Sequence, residues 1–144
     1  MLYFDTSILT PLVKTEASSG KVMNLMAELA GNRLCTSHWT LVELASALAR
    51  EVRMKATSPK LAQKSLQDFE VILDASFEIF APDASDFTRA KDYVARFETG
   101  LRGGDALHLA VAARHKVKAI YSLDKTFVKA GKKLGLPALT GIRL

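Results

Sequence analysis

A chain of 144 residues, 49% hydrophobic and 24% charged, is long enough to bury one core and short for two, so a single domain over 1–144 is expected and a disordered chain is excluded. One cysteine, Cys35, excludes an internal disulfide and makes no zinc-ligand spacing with His38, His108 or His115, and no apolar run approaches the roughly 20 residues of a membrane span. The formal charge of +5, from 20 basic and 15 acidic residues, favours a polyanionic partner.

Leu2-Tyr3-Phe4 is a short apolar run ending at Asp5, followed by helix-start signals at Ser7 and at Thr10-Pro11, so a strand and then a helix are expected. Ser18-Ser19 opens a helix whose Val22, Leu25, Met26 and Leu29 recur at helical spacing, and Gly31-Asn32 closes it. Arg33 to Thr36 reads as a second strand. From His38 to about Met54 the residues Leu41, Leu44, Ala45, Leu48 and Val52 form a helical stripe, with Glu43 in the opening turns and off that stripe. Ser58-Pro59 starts a helix running to about Ala75, Phe77 to Phe80 is a strand stopped by Pro82, and a helix follows from about Asp83 to Glu98. Thr99-Gly100 breaks it. Asp105 to His115, Lys118 to Tyr121, Asp124 to Leu134 and the region of Leu139 read as helix, strand, helix and strand. Regular alternation implies an α/β domain with a mainly parallel sheet covered by helices on both faces.

In such sheets ligands bind beyond the carboxyl ends of the strands. Asp5 ends the first strand, Glu43 lies early in the helix after the second, Asp105 heads a helix, and Asp124 follows the strand Ala119-Ile120-Tyr121 by two residues. Four carboxylates brought together raise one another's pKa values unless a cation neutralises them. With cysteine and histidine ligation set aside, Mg²⁺ or Mn²⁺ held by oxygen is expected, and the matching chemistry is phosphodiester hydrolysis by a metal-activated water. Setting these four aside leaves eleven acids against twenty bases, a basic surface around an acidic hole.

Each acid also has a plainer account. Asp5, Asp105 and Asp124 are of the type that caps helix N-termini, and periodicity alone would leave Glu43 as a solvated residue. Asp105 leads into Ala106-Leu107-His108-Leu109-Ala110-Val111, apolar nearly all round, where an unpaired charge would be costly. His108, one turn on, reads first as a hydrogen-bonded structural histidine and second as a group that positions Asp105 or touches nucleic acid. Cys35 and Trp39 read as core or partner-interface residues, and Arg50, Arg53, Lys55, Lys91 and Arg96 as scattered candidates for contacts to a nucleic-acid backbone, none of them assigned since charged helix faces are ordinary.

Taken together, Tyr3-Phe4-Asp5-Thr6-Ser7, Trp39-Thr40-Leu41-Val42-Glu43-Leu44, Asp105-Ala106-Leu107-His108-Leu109-Ala110 and Ser122-Leu123-Asp124 with Phe127 resemble the four acidic motifs of the PIN-domain nucleases, specifically the VapC-type ribonuclease toxins of toxin–antitoxin pairs. The resemblance covers essentially the whole chain. It implies a three-layer α/β/α domain, a Mg²⁺- or Mn²⁺-dependent endoribonuclease acting on RNA, a small cognate antitoxin protein as inhibitor, and a homodimer. Asp5, Glu43, Asp105 and Asp124 carry over as catalytic metal ligands, and Thr6 and Ser122 as supporting hydroxyls. Arg102 is a candidate substrate phosphate contact, since guanidinium matches phosphate bidentately. Gly103-Gly104 departs from the bulkier residues expected there. With no basic segment before an apolar stretch at the start, a cytoplasmic location is expected. Two other classes compete: a catalytically silent PIN-like module that binds RNA or protein, and a phosphoacceptor receiver domain, which the single acid after the first strand fits poorly.

Overall fold

The computed structural model describes residues 1–142. Strands β1 (Leu2–Phe4), β2 (Leu34–Ser37), β3 (Glu78–Phe80), β4 (Ala119–Tyr121) and β5 (Ala138–Leu139) form one sheet in the order β3-β2-β1-β4-β5, parallel at every pairing. The chain moves from β1 to one side through β2 and β3, then returns to the other side through β4 and β5. Strand β1 is therefore the centre of the sheet, and the crevice of a doubly wound fold opens at its carboxyl end.

Successive residues of a strand point to opposite faces, and in β1 this divides the core in two. Leu2 and Phe4 pack with Ile8, Val22, Leu44, Leu48, Phe69 and Leu73, whereas Tyr3 packs on the other face with Leu107, Leu109, Ile120 and Phe127. The first face is covered by α1 (Thr6–Leu9), α2 (Ser19–Glu28), α3 (Trp39–Arg53) and α4 (Pro59–Ser76). The second is covered by α5 (Ala84–Ala95), α6 (Gly103–Arg114) and α7 (Lys125–Lys133). This is the three-layer α/β/α arrangement, and no described helix is long and apolar enough to cross a membrane.

Most element boundaries fall within a residue or three of those expected. After β1, however, the single expected helix is split into four-residue α1 and a 3-10 turn, Thr10–Leu12, because Pro11 has no N–H to donate and the chain tightens around the Thr10 carbonyl, which receives Val13 and Lys14. The helix expected to reach Glu98 stops at Ala95, and Phe97–Thr99 forms a separate 3-10 turn closed by Gly100 at φ +69°. Helix α6 starts at Gly103, two residues before Asp105. Gly131 is needed for packing: a Cβ there would lie 2.6 Å from Ala138 Cβ, so only glycine lets α7 lie this close to β5.

One buried ion pair ties α5 to α6. Asp83 caps α5 in a capping box with Asp86, and the Asp86 carboxylate, 1% exposed, receives Arg114 Nε at 2.9 Å and Nη2 at 2.8 Å. Arg114 also donates to the Ala81 carbonyl at 3.0 Å. Removing the arginine strands a dehydrated carboxylate. Arg114→Met should lower the unfolding free energy by about 3 kcal/mol in urea titration, and a loss below about 1 kcal/mol would show the pair to be no stronger than a solvated surface bridge.

Candidate active site

Backbone direction delivers the first acid. Strand β1 is fully buried, and Asp5 follows it where α1 begins, with its N–H on the Tyr121 carbonyl of β4 at 3.1 Å. The Asp5 side chain does cap a helix: Oδ1 accepts from Ile8 N–H at 3.2 Å and from Ser7 Oγ at 2.7 Å. Its other oxygen, Oδ2, accepts from Ser122 Oγ at 2.8 Å. Ser122 Oγ in turn accepts from the Asp124 backbone N–H at 3.0 Å, and Ser7 Oγ accepts from Leu123 N–H at 2.9 Å. The loop after β4 is thereby laced to the loop after β1. Ser7 belongs to this network, although the sequence marks it only as a helix start and as the last residue of the first acidic motif, with no role of its own.

Asp124 shows the same division of labour. Oδ1 caps α7 by accepting from Thr126 and Phe127 N–H at 2.7 and 3.1 Å, while Oδ2 meets Arg102 Nη2 at 3.3 Å. Asp105 is not a cap. It lies in the first turn of α6, its Oδ2 3.3 Å from Arg102 Nε, so one exposed guanidinium bridges Asp105 and Asp124. Arg102 is thus found on the acids rather than free for a phosphate.

Glu43, off the apolar stripe of α3, faces the crevice. Its Oε1 accepts from Thr6 Oγ1 at 2.6 Å and lies 2.5 Å from His108 Nε2. His108, 1% exposed, is hydrogen-bonded at Nδ1 to the Tyr3 hydroxyl at 2.8 Å. The histidine is structural, as expected, but its acidic partner is Glu43 and not Asp105, because the α6 residue one turn after Asp105 faces the sheet. The relay Tyr3–His108–Glu43–Thr6 is out of reach of periodicity, which carries no information about contacts between positions far apart in the chain. Gly104 completes this wall: a Cβ there would stand 3.0 Å from Glu43 Oε2 and 3.0 Å from the Trp39 indole nitrogen.

Burial pushes the Asp5 carboxyl up from 3.8 to about 6, against the opposing pull of His108 and the hydrogen bonds from Ser7 and Ser122. Asp105 is raised by burial and by the negative charges of Asp124 and Glu43, with Arg102 opposing. For Glu43, burial acts upward, but the hydrogen bond and charge of His108 and the Thr6 hydroxyl outweigh it and hold the carboxyl below its usual value. Among the described residues, no three acidic, histidine or cysteine side chains already enclose a cation-sized space. The acids stand in two arms instead, Glu43 in the histidine relay and Asp105 with Asp124 on Arg102.

A model of the PIN-domain family matches residues 2–133. The chain belongs to the PIN-domain family. Ribonuclease VapC13 of Mycobacterium tuberculosis is 30% identical over 97 residues, covering 67% of this chain and 67% of that protein, which places this PIN domain with the VapC ribonucleases. Among solved structures, M. tuberculosis VapC20, described as a sarcin-ricin-loop-cleaving toxin, shares the fold with a TM-score of 0.75 at 21% identity, over 91% of this chain and 95% of that one. VapBC2 from Rickettsia felis, bound to a DNA fragment from its promoter, does so with a TM-score of 0.66 at 17% identity, over 96% and 98%.

The electrostatics of this PIN domain have a measurable sign. A carboxyl raised on folding binds a proton in the native state that the unfolded chain releases, so its contribution to stability is present at low pH and is lost as pH rises through the folded value. For Asp5 the window lies between 3.8 and about 6, and Asp105 acts in the same direction. Glu43, held below 4.5, acts oppositely and only on the acid side of that value. The protein should therefore gain about 2 kcal/mol from Asp5 as pH falls from 7 to 4.5, with Asp105 acting in the same direction. Thermal melts across that range should show Tm rising toward acid, and Asp5→Asn should flatten the rise.

Proposed function

We propose that this single PIN domain is a Mg²⁺- or Mn²⁺-dependent endoribonuclease and the toxin of a toxin–antitoxin pair. Support for the reading comes from the carboxyl end of β1, where the charges of Asp124 and Glu43 raise Asp105 and where Ser122 joins the Asp5 carboxylate to the Asp124 backbone. RNA as substrate rests on the VapC ribonucleases to which the chain is related. A small antitoxin partner rests on the fold it shares with toxin–antitoxin assemblies, one of them from Klebsiella pneumoniae. A homodimer working in the cytoplasm completes the reading.

The donor set fits a hard divalent cation: all carboxylate oxygen and partly buried, with Arg102 on Asp105 and Asp124 and His108 on Glu43 as the positive groups against it. Bound by the four acids directly or through water, such a cation would supply an activated water for in-line attack at phosphorus and would offset charge on the leaving oxygen. The remaining work falls to the chain. Ser122 holds an Asp5 oxygen and the Asp124 backbone together, fixing the first and fourth acids relative to each other. Thr6 and His108 fix Glu43. Arg102, which bridges Asp105 and Asp124, carries a guanidinium suited to a substrate phosphate.

Two variants test the arrangement. Asp5→Asn should cut cleavage of a mixed labelled RNA pool by more than about a hundredfold, with the fold intact by circular dichroism. Wild-type cutting should vanish with chelator. A folded, metal-supplied wild type that cuts no RNA would favour the silent binding module. Gly104→Ala adds a better helix former while pressing a methyl on Glu43 and Trp39. Its stability should stay within about 1 kcal/mol of wild type while kcat falls at least about tenfold, and full activity in it would show that Glu43 need not be held where it stands.

A further inference from the structure

Helix α3 carries more than Glu43 along its crevice-facing side. A cleft of about 490 Å³ runs from Glu43 and Asp105 along α3 past Ser46 and Ala47 to Arg50 and Arg53, with Arg102 on its other rim. Residues at steps of three and four share a helix face, so Glu43, Ser46, Arg50 and Arg53 lie in sequence down one wall. Arg50 and Arg53 are exposed, and neither guanidinium has an ion-pair partner among the described residues. The other acid of α3, Glu51, is held by Lys14 and takes no part in this wall. Basic residues in a last turn also complement the helix dipole, but the dipole would be served equally on any face, and both arginines lie on the cleft.

We infer that Arg50 and Arg53 form a phosphate track that holds the single-stranded RNA flanking the scissile bond, a reading that rests on the nuclease function proposed above. They stand 7 and 10 residues beyond Glu43, about 10 and 15 Å along the helix axis. At the ~3.4 Å rise of a stacked strand this places them roughly three to four nucleotides from the bond that is cut. The track binds backbone, not bases: guanidinium on phosphate contributes affinity and salt dependence without sequence choice. Trp39 lies at the acidic end of the same cleft.

Binding and cutting separate the track from the catalytic reading. A labelled 12-nucleotide single-stranded RNA is titrated in chelator with the wild type, with Arg50→Gln/Arg53→Gln, and with Lys129→Gln/Lys132→Gln, which removes the same charge from α7. The arginine pair should weaken binding on the order of tenfold at 0.1 M salt and lower the slope of log affinity against log salt by about 1.4, or about 0.7 per phosphate. The lysine pair should change both much less. With metal present, the arginine pair should raise KM for the 12-mer with kcat little changed, and should leave a substrate truncated to two nucleotides on either side of the cut unaffected. RNA binding and salt slope equal to those of the lysine control would overturn the track and leave this wall to an acidic polypeptide. If the track variant weakens binding although the wild type cuts nothing, the track stands and the nuclease reading fails. A wild type that binds no RNA in chelator and cuts none with metal sinks both.

Discussion

The carboxylate of Asp5, 3% exposed at the end of the central strand, sets the terms for everything around it. A charge dehydrated to that degree must have its lone pairs met by donors, or it costs several kcal/mol. The donors are the Ile8 N–H, Ser7 and Ser122, and supplying them fixes the start of α1, the rotamer of Ser7 and the path of the chain after β4. Because Ser122 also receives the Asp124 N–H, meeting the needs of the first acid places the fourth. Even so, Asp5 is left with a raised pKa. The network therefore holds a carboxylate that its surroundings do not fully neutralise, which is the condition in which a bound cation gives the largest return.

The second arm is built across the sheet. Tyr3 points to the face opposite Leu2 and Phe4, and so reaches His108 of α6, which passes the contact to Glu43 of α3. Three elements from all three layers are thereby coupled by hydrogen bonds in a low-dielectric interior, where such chains are stronger than in water. Gly104 is the steric condition of that coupling, since a side chain at that position would occupy the space of the Glu43 carboxylate and the Trp39 indole. Of the pair Gly103-Gly104, a departure from the bulkier residues the motif leads one to expect, Gly104 is a fit between α6 and this particular Trp39, whereas a side chain at Gly103 would meet open space.

Charge is arranged on the same plan. Arg102 bridges Asp105 and Asp124, and Arg50 and Arg53 extend along the cleft away from Glu43 and Asp105. Elsewhere, carboxylates serve structure, as with Asp86 and Arg114, and that pair is remote from the crevice.

By itself the sequence determined the alternation of strands and helices, and hence a parallel sheet with helices on both faces, because hydrophobic period and cap chemistry are local properties that neighbours along the chain express. It also placed Asp5, Glu43, Asp105 and Asp124 at element ends, since each stands next to a boundary signal, and the off-stripe position of Glu43 already marked it as turned away from the core. What only tertiary structure decided was who meets whom. Asp5 and Asp124 are caps and crevice residues at once, one oxygen for each task, a combination that no local pattern distinguishes from capping alone. His108 serves Glu43 rather than Asp105, Ser7 joins Ser122, and Arg50 and Arg53 stand apart from the other scattered bases by lining the cleft. These are contacts between residues far apart in sequence, set by strand order and helix orientation, and strand order is a property of the packed chain, not of any segment in it.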